Sequence, residues 1–244
     1  MTETYLAMWS GPRNISTAML RSWGSRADTA VVDEPLYAHY LANSPYRDQH
    51  PGAEEVVATY DNDWRKVARA LTSDIPGGKS IYYQKHMTHH ILPQIDLAWT
   101  DALTNCFLIR EPSEMLVSLD KVISGPELDQ TGLPQQLELF ERAQRNTGKI
   151  PPVIDAADVL QNPRRVLTLL CEAVGVPFDE AMLAWLAGKR DTDGVWAKYW
   201  YDAVERSTGF APYQPRIEPI PDRLRDQYQA CSTIYQQLYP YRLR

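Results

Sequence analysis

Two stretches of the sequence combine the residue types that bind phosphate or sulfate groups. The first is residues 10–17, Ser-Gly-Pro-Arg-Asn-Ile-Ser-Thr, which follow an apolar run. A helix that starts here would offer its first backbone N–H groups and its dipole to an anion. Arg13 would add a fixed positive charge, and Ser16 and Thr17 would add hydroxyl donors. The spacing also fits the simpler alternative that Ser16 or Thr17 only caps the helix.

The second stretch has Arg110 at the end of another apolar run and Ser118 eight positions later. Pro112 lies between them and is typical of the first turn of a helix, so we expect Ser118 two turns along that helix. Taken alone, Arg110 also fits a structural ion pair, and Ser118 an ordinary helix residue.

Candidate groups for proton transfer follow two further apolar runs. Glu34 follows one run, and Lys85 and His86 follow the next. A carboxylate or an imidazole within reach of a hydroxyl can accept its proton, so Glu34 and His86 are both candidate bases. Glu34 could instead be a surface carboxylate or a helix cap. Lys85 could stabilise a transferring group or form an ion pair with Asp33 or Glu34.

A zinc site is the alternative interpretation of His86, His89 and His90. These residues lack the spacing of a third ligand, and no cysteine lies near them. We therefore expect His89 and His90 to be polar residues at a helix start, and we expect no metal.

Alternating strand-like and helix-like patterns predict the elements that position these residues. Apolar runs predict five strands, at residues 4–9, 29–33, 80–85, 103–110 and 152–155. Helical patterns are found at residues 16–24, 61–72, 91–99, 133–143 and 224–238, after Pro112 and after Asn162. The alternation predicts an α/β fold with three layers, helix, sheet and helix, and a mostly parallel central sheet. Such sheets bind ligands at the carboxyl ends of their strands, where the candidates lie.

The composition excludes several classes of protein. The 244 residues carry 25 basic and 31 acidic side chains, and the net charge of −6 argues against general nucleic-acid binding. No apolar run is long enough to predict a membrane span, and the N-terminus does not have the pattern of a signal peptide. Cys106, Cys171 and Cys231 are predicted to be reduced thiols of a cytoplasmic protein.

Together, the two anion-binding stretches resemble the sulfotransferase family. That family has Pro-[Lys/Arg]-Ser-Gly-[Ser/Thr]-[Ser/Thr] after its first strand, which corresponds here to residues 12–17. It also has an arginine at a strand end and a serine eight positions later, which correspond to Arg110 and Ser118. Asn14 and Ile15 stand where the family usually has Ser-Gly. The likeness extends more loosely over residues 4–180.

The resemblance implies a P-loop NTPase-like fold in one domain over residues 1–244, with a C-terminal helical part at about 180–244 that covers the cleft. It implies transfer of a sulfuryl group from 3′-phosphoadenosine-5′-phosphosulfate to a hydroxyl of a small-molecule, carbohydrate or lipid acceptor, without a metal ion. The implied nucleotide-binding residues are Gly11, Pro12, Arg13, Asn14, Ile15, Ser16, Thr17, Arg110, Ser118, Lys189 and Arg190. The implied catalytic residues are Arg13, Glu34, Lys85 and His86. The resemblance ranks Glu34 before His86 as the base, because Glu34-Pro35 is similar to the pair in members that use a glutamate, whereas His86 lies one position earlier than the histidine of other members.

Two other functions remain open from the sequence. Asp33 and Glu34 after an apolar strand could hold Mg²⁺ in a nucleotide-dependent kinase or NTPase, although the Gly-Lys pair of the P-loop is absent. Alternatively, the chain could be an inactive nucleotide-binding relative, for which Ile15 is the main argument. Residues 37–60 and 190–220 are the segments that we expect to contact the acceptor.

Overall fold

The structure, a computed structural model, describes residues 3–215 and 218–244. Five strands form its central sheet: β1 Thr4–Ser10, β2 Thr29–Asp33, β3 Ile81–Met87, β4 Thr104–Ile109 and β5 Val153–Asp155. They pair in parallel in the order β2-β3-β1-β4-β5. The predicted parallel sheet is confirmed, and the carboxyl ends of all five strands meet at one edge, which we call the carboxyl edge.

Helices cover both faces of this sheet. They are α1 Ser16–Gly24, α2 Tyr37–Asn43, α3 Ala53–Thr59, α4 Trp64–Leu71, α5 Pro112–Asp120, α6 Leu133–Thr147, α7 Ala156–Gln161, α8 Pro163–Ala173, α9 Ala197–Trp200, α10 Asp202–Glu205 and α11 Arg225–Leu238. Helices α1 and α8 pack on one face, and α6 and α11 pack on the other. The three predicted layers are therefore present. Among the helices of the described residues, none is both long enough and apolar enough to cross a membrane.

The central strand β1 shows why its sequence is a continuous apolar run. Successive side chains of a strand point to opposite faces. Leu6 and Met8 accordingly pack on the side of α1 and α8, whereas Ala7 and Trp9 pack on the side of α6 and α11. All four side chains are fully buried, as is typical of a parallel strand covered on both faces.

The prediction of a helix at residues 91–99 is wrong. The chain instead runs without regular structure to a 3₁₀ helix at Leu97–Ala102, which Asp96 caps by accepting a hydrogen bond from a backbone N–H. Pro93 explains the difference, because proline has no N–H and disfavours helical geometry in the preceding residue. The apolar spacing that suggested a helix arises because Ile91 and Ile95 pack against the core below the sheet.

Gly11 allows the loop after β1 to approach the segment that precedes α6. A Cβ atom at position 11 would lie 2.6 Å from the backbone oxygen of Thr131. Backbone atoms cannot turn away as the end of a flexible side chain can. The absence of a side chain at Gly11 therefore sets the position of the loop in which Arg13 lies.

We predict that Gly11→Ala lowers the free energy of unfolding by about 1–3 kcal/mol, the usual range for overpacking. The matched variant is Gly24→Ala, because Gly24 is an exposed helical residue whose Cβ would make only ordinary contact with Val31. It should leave stability unchanged or raise it by up to about 1 kcal/mol. Chemical denaturation measures both. Equal effects of the two variants would contradict the close approach.

Candidate functional site

The two anion-binding stretches line one cavity at the carboxyl edge. Its volume is about 380 Å³. The cavity lies between the β1–α1 loop, the ends of β2, β3 and β4, and the C-terminal part of the chain. Of the residues predicted from the sequence, it is lined by Pro12, Arg13, Asn14, Ile15, Ser16, Thr17, Glu34, Lys85, Arg110 and Ser118.

Direct contacts connect the two stretches at one end of the cavity, which we call the cationic end. Arg13 Nε donates a hydrogen bond to Ser118 Oγ at 3.1 Å. The guanidinium of Arg110 donates to the carbonyl oxygen of Arg13. The loop after β1 is thus joined to β4 and α5, and two fixed positive charges line the same cavity.

A carboxylate and a tyrosine hold the guanidinium of Arg110. Its Nε and Nη2 atoms both donate to Glu114 Oε2, at 3.2 and 3.0 Å. The other oxygen of Glu114 accepts a hydrogen bond from the hydroxyl of Tyr213 at 2.9 Å. Because two donors of one planar group meet one carboxylate, the orientation of Arg110 is fixed.

The backbone of the β1–α1 loop accommodates Ile15 without strain. The residue in the left-handed region is Arg13, at φ 57°, whereas Ile15 has φ −88°. Asn14 anchors the loop, because its Nδ2 donates to the carbonyl of Leu108 at 3.1 Å and its Oδ1 accepts from the Ile15 N–H at 2.9 Å. The geometry at position 15 is therefore open to a residue with a side chain, and glycine is not required there.

The start of α1 faces the cavity. Ile15 is the N-cap residue, and within residues 3–215 and 218–244 no side chain caps this helix. The alternative in which Ser16 or Thr17 is the cap is therefore wrong. Both residues lie in the first turn and line the cavity, where the helix dipole favours an anion.

A largely buried cluster of four side chains lies beside the cavity near the ends of β2 and β3, and we call it the lysine cluster: Asp33, Glu34, Lys85 and Tyr201. Glu34, Lys85 and Tyr201 line the cavity. Lys85 Nζ donates to Asp33 Oδ1 at 2.8 Å, to Glu34 Oε1 at 2.6 Å and to the Tyr201 hydroxyl at 2.6 Å. The Tyr201 hydroxyl in turn donates to Asp33 Oδ2 at 2.6 Å. The ion pair that the sequence left open for Lys85 thus forms with both carboxylates.

Burial and the neighbouring charges shift the pKa values of Glu34 and Lys85 in definite directions. Burial raises the pKa of Glu34 above its usual value; the positive charge of Lys85 opposes this and the negative charge of Asp33 adds to it. Burial lowers the pKa of Lys85, but the two carboxylates outweigh burial and the net shift is upward. Lys85 therefore stays charged, while Glu34 takes up a proton more readily than an exposed carboxylate does.

The expectation that His86 is an alternative base at this site needs correction. Because side chains alternate along β3, Lys85 and Met87 face the cavity and His86 faces the opposite side. There His86 stacks on Trp9 with ring centroids 4.2 Å apart, and it is 1% exposed. Burial lowers its pKa to about 3. His86 is thus a neutral core residue away from the cavity.

Three residues predicted to bind the nucleotide also lie outside the cavity lining: Gly11, Lys189 and Arg190. Lys189 is exposed. The guanidinium of Arg190 donates to backbone oxygens of its own loop, including that of Lys189 at 3.1 Å. Gly11 instead allows the loop after β1 to lie close to the backbone of Thr131. The basic side chains at 189 and 190 are thus not positioned to contact a ligand in the cavity.

The C-terminal part of the chain contributes aromatic residues instead. Trp200 and Tyr201 line the cavity, together with residues of the segment 203–211. From the segment 37–60, the lining includes Tyr37, Tyr40 and His50. Both segments expected to contact an acceptor therefore reach the cavity, although residues 216 and 217 of the second lie outside the described residues.

His89 and His90 are buried lining residues, where the sequence suggested polar residues at a helix start. They belong to a short 3₁₀ helix, Thr88–His90, that directly follows β3. No local sequence pattern indicates their burial, because the covering residues Tyr37 and Tyr40 lie about 50 positions earlier. Among the described residues, no group of three or more His, Cys, Asp or Glu side chains is arranged to hold a metal ion.

Comparison with solved structures places this geometry on a known fold. The sulfotransferase from Alicyclobacillus acidocaldarius superposes with a TM-score of 0.57 at 13% identity, covering 100% of this chain and 98% of that chain. The sulfotransferase domain from the curacin biosynthetic pathway gives 0.51 at 16% identity, covering 100% and 99%. At these identities the likeness concerns the fold, which is the P-loop NTPase-like αβα arrangement.

Two curated relatives from Arabidopsis thaliana are branched-chain-amino-acid aminotransferase-like proteins 1 and 2. They are 35% and 31% identical to this chain, over 87% and 93% of its length. The chain spans only 38% and 40% of these proteins, so about three fifths of each lies outside the match. A family model described as a sulfotransferase domain matches residues 4–240, nearly the whole chain. The chain therefore belongs to the sulfotransferase domain family.

Proposed function

We propose that the protein transfers a sulfuryl group from 3′-phosphoadenosine-5′-phosphosulfate to the hydroxyl of a small-molecule, carbohydrate or lipid acceptor. One observation carries the proposal: a single cavity is lined by Arg13 and Arg110, which follow β1 and β4, and by the carboxylate of Glu34, which follows β2 on the opposite side of β1 in the sheet. The arginines can hold the anionic donor, and the carboxylate can take the proton of the acceptor.

The cationic end provides two groups of anion-binding residues. In the proposal, Arg110 and Ser118 bind the 3′-phosphate of the donor. Arg13, Ser16, Thr17 and the first N–H groups of α1 bind the 5′-phosphosulfate. The support is that these residues line the cavity together and match the two motifs of the family in order and spacing. The charge-assisted hydrogen bonds that guanidinium groups make with phosphate suit this assignment.

The chemistry needs fixed positive charge and one base. The acceptor oxygen forms a bond to sulfur, the bond from sulfur to the bridging oxygen of the donor breaks, and the bisphosphate leaves with the electron pair. Arg13 and the start of α1 stabilise the charge that grows on the leaving oxygen. Glu34 accepts the acceptor proton, and Lys85 orients Glu34 through its Oε1 atom.

The lysine cluster argues against the kinase or NTPase alternative. A Mg²⁺ site at Asp33 and Glu34 would require their oxygens as ligands, whereas both oxygens of Asp33 and Oε1 of Glu34 accept hydrogen bonds from Lys85 or Tyr201. The argument for an inactive relative is also weakened, because Ile15 occupies an unstrained backbone position. Three buried free cysteines support a reducing, cytoplasmic location.

We predict that Arg110→Ala weakens the binding of adenosine 3′,5′-bisphosphate about 10- to 100-fold, since a hydrogen bond to a charged group contributes about 1.5–3 kcal/mol. Binding of adenosine 5′-monophosphate, which lacks the 3′-phosphate, should change little. Isothermal titration calorimetry measures both. Lys189→Ala is the matched control and should bind both ligands normally. Equal losses for the two nucleotides would contradict the 3′-phosphate assignment.

A second prediction concerns Glu34. Glu34→Gln should lower turnover about 10²- to 10⁴-fold, the usual contribution of a general base, and leave bisphosphate affinity unchanged. Because burial raises the pKa of Glu34, wild-type kcat should fall on the acid side at a pH above that of an ordinary carboxyl group. Glu55→Gln, which removes an exposed partner of Lys198, is the control. An unchanged rate in Glu34→Gln would remove Glu34 from the role.

We also predict that transfer does not depend on a metal ion. A sulfuryl group carries one negative charge fewer than a phosphoryl group, so protein cations suffice to stabilise the transition state. Turnover should be fully retained after dialysis against EDTA. Loss of activity that Mg²⁺ restores would contradict this expectation and favour the kinase or NTPase alternative.

A further inference from the structure

The imidazole of His90 stacks against two tyrosine rings in the wall of the cavity, near Glu34 of the lysine cluster. Its ring stacks on Tyr37 with centroids 4.8 Å apart and an interplanar angle of 6°, and on Tyr40 at 4.9 Å and 28°. The ring is thus covered by tyrosines through stacking contacts, and its position is set by α2, the helix that contributes both of them. The residue lines the cavity although it is only 1% exposed.

Both ring nitrogens of His90 lack a hydrogen-bond partner among the described residues. Buried polar atoms are nearly always satisfied, and leaving one unsatisfied costs about 1–3 kcal/mol. Glu34 Oε2 lies 3.9 Å from Nε2. This separation exceeds the 2.7–3.2 Å of an N–H···O hydrogen bond, so the two groups do not satisfy each other directly.

The same separation fits one oxygen atom placed between the two groups. An oxygen about 2.8 Å from both His90 Nε2 and Glu34 Oε2 would see them at an angle of about 90°. A hydroxyl oxygen can accept a hydrogen bond in one direction and donate its proton in another. The gap thus matches a single hydroxyl group that accepts from His90 and donates to Glu34.

The charge state of His90 suits it to donate to a hydroxyl, and the hydrogen bond from Lys85 to Glu34 leaves Glu34 Oε2 to accept from one. The neighbourhood keeps His90 neutral, because burial and the nearby His89, His50 and Lys85 lower its pKa well below the usual value. A neutral imidazole with its proton on Nε2 donates without bringing a positive charge next to the sulfuryl group. The other oxygen of Glu34 is held by Lys85 at 2.6 Å, which leaves Oε2 as the atom that faces His90.

We propose that His90 Nε2 and Glu34 Oε2 form a two-point clamp for the hydroxyl group that is sulfated. The inference rests on the function proposed above and adds a residue that touches the acceptor. In the step, the hydroxyl proton moves to Glu34 Oε2, the oxygen forms its bond to sulfur, and the leaving nucleotide takes the electron pair of the broken S–O bond. His90 gives up no proton; it orients the oxygen lone pair through its hydrogen bond.

The first test is a high-resolution crystal structure of the protein without acceptor, with water as the probe hydroxyl. We expect an ordered water within hydrogen-bond distance of both atoms in the wild type. His90→Phe keeps the stacked ring but removes both nitrogens, so the bridging water should be lost. A wild-type structure without this water, or a His90→Phe structure that retains it, would overturn the clamp.

The second test separates hydrogen bonding from packing by three substitutions at one position. Hydrolysis of 3′-phosphoadenosine-5′-phosphosulfate, with water as the acceptor, should slow about tenfold in His90→Phe, the effect of one lost hydrogen bond. His90→Gln places an amide donor near the Nε2 position and should restore much of the rate. His90→Asn places its amide near the Nδ1 position and should stay slow. Affinity for adenosine 3′,5′-bisphosphate should be the same in all four proteins.

The outcomes distinguish the clamp from the proposed function. Equal rates in the glutamine and asparagine variants, or a full rate in His90→Phe, would overturn the clamp while sulfuryl transfer stands. A wild-type protein that binds the bisphosphate but releases no sulfate from the donor would overturn the proposed function, whereas the bridging water still tests the hydroxyl site by itself.

Discussion

The buried ammonium group of Lys85 is the interaction on which the rest of the site depends. Its side chain is 1% exposed, and removing such a charge from water costs several kcal/mol unless partners replace the solvent. Asp33, Glu34 and Tyr201 supply those partners, from the end of β2 and from the C-terminal part of the chain. The need to satisfy one charge therefore brings together three segments that are distant in sequence, and it fixes the carboxylate that faces the cavity.

Two residues that line the cavity, Arg13 and Glu34, have a strained backbone conformation. In residues 3–215 and 218–244, the non-glycine residues with positive φ are Arg13 at 57° and Glu34 at 43°. Such conformations cost about 1–3 kcal/mol and persist where surrounding contacts determine them. Arg13 is held by Ser118 and Arg110, and Glu34 by Lys85. The two strained residues are the ones proposed to act on the donor and on the acceptor.

The elements of the sheet could be predicted because they depend on local pattern. Residues 6–9 of β1 and 106–109 of β4 are buried on both faces of the sheet and are therefore continuously apolar. The predictions that were wrong also have specific physical causes. The apolar spacing at residues 91–99 arises from packing against the core, and Pro93 disfavours the helix that this spacing suggested. The basic residues Lys189 and Arg190 looked suitable for a phosphate, but exposure of one and loop contacts of the other keep both out of the cavity.

The cationic end and the family could be predicted from the sequence, because each of the two motifs is short and its residues are neighbours at a strand end. The surroundings of the lysine cluster could not, because the fold brings them together from distant segments. Lys85 and His86 point to opposite faces of β3, and the fold decides that the face of Lys85 meets the cavity. Tyr201 contacts Lys85 across 116 positions, and His90 contacts Tyr37 across about 50. Contacts between residues so far apart leave no local sequence pattern, because the Lys85 charge and the His90 ring become buried only when the chain folds.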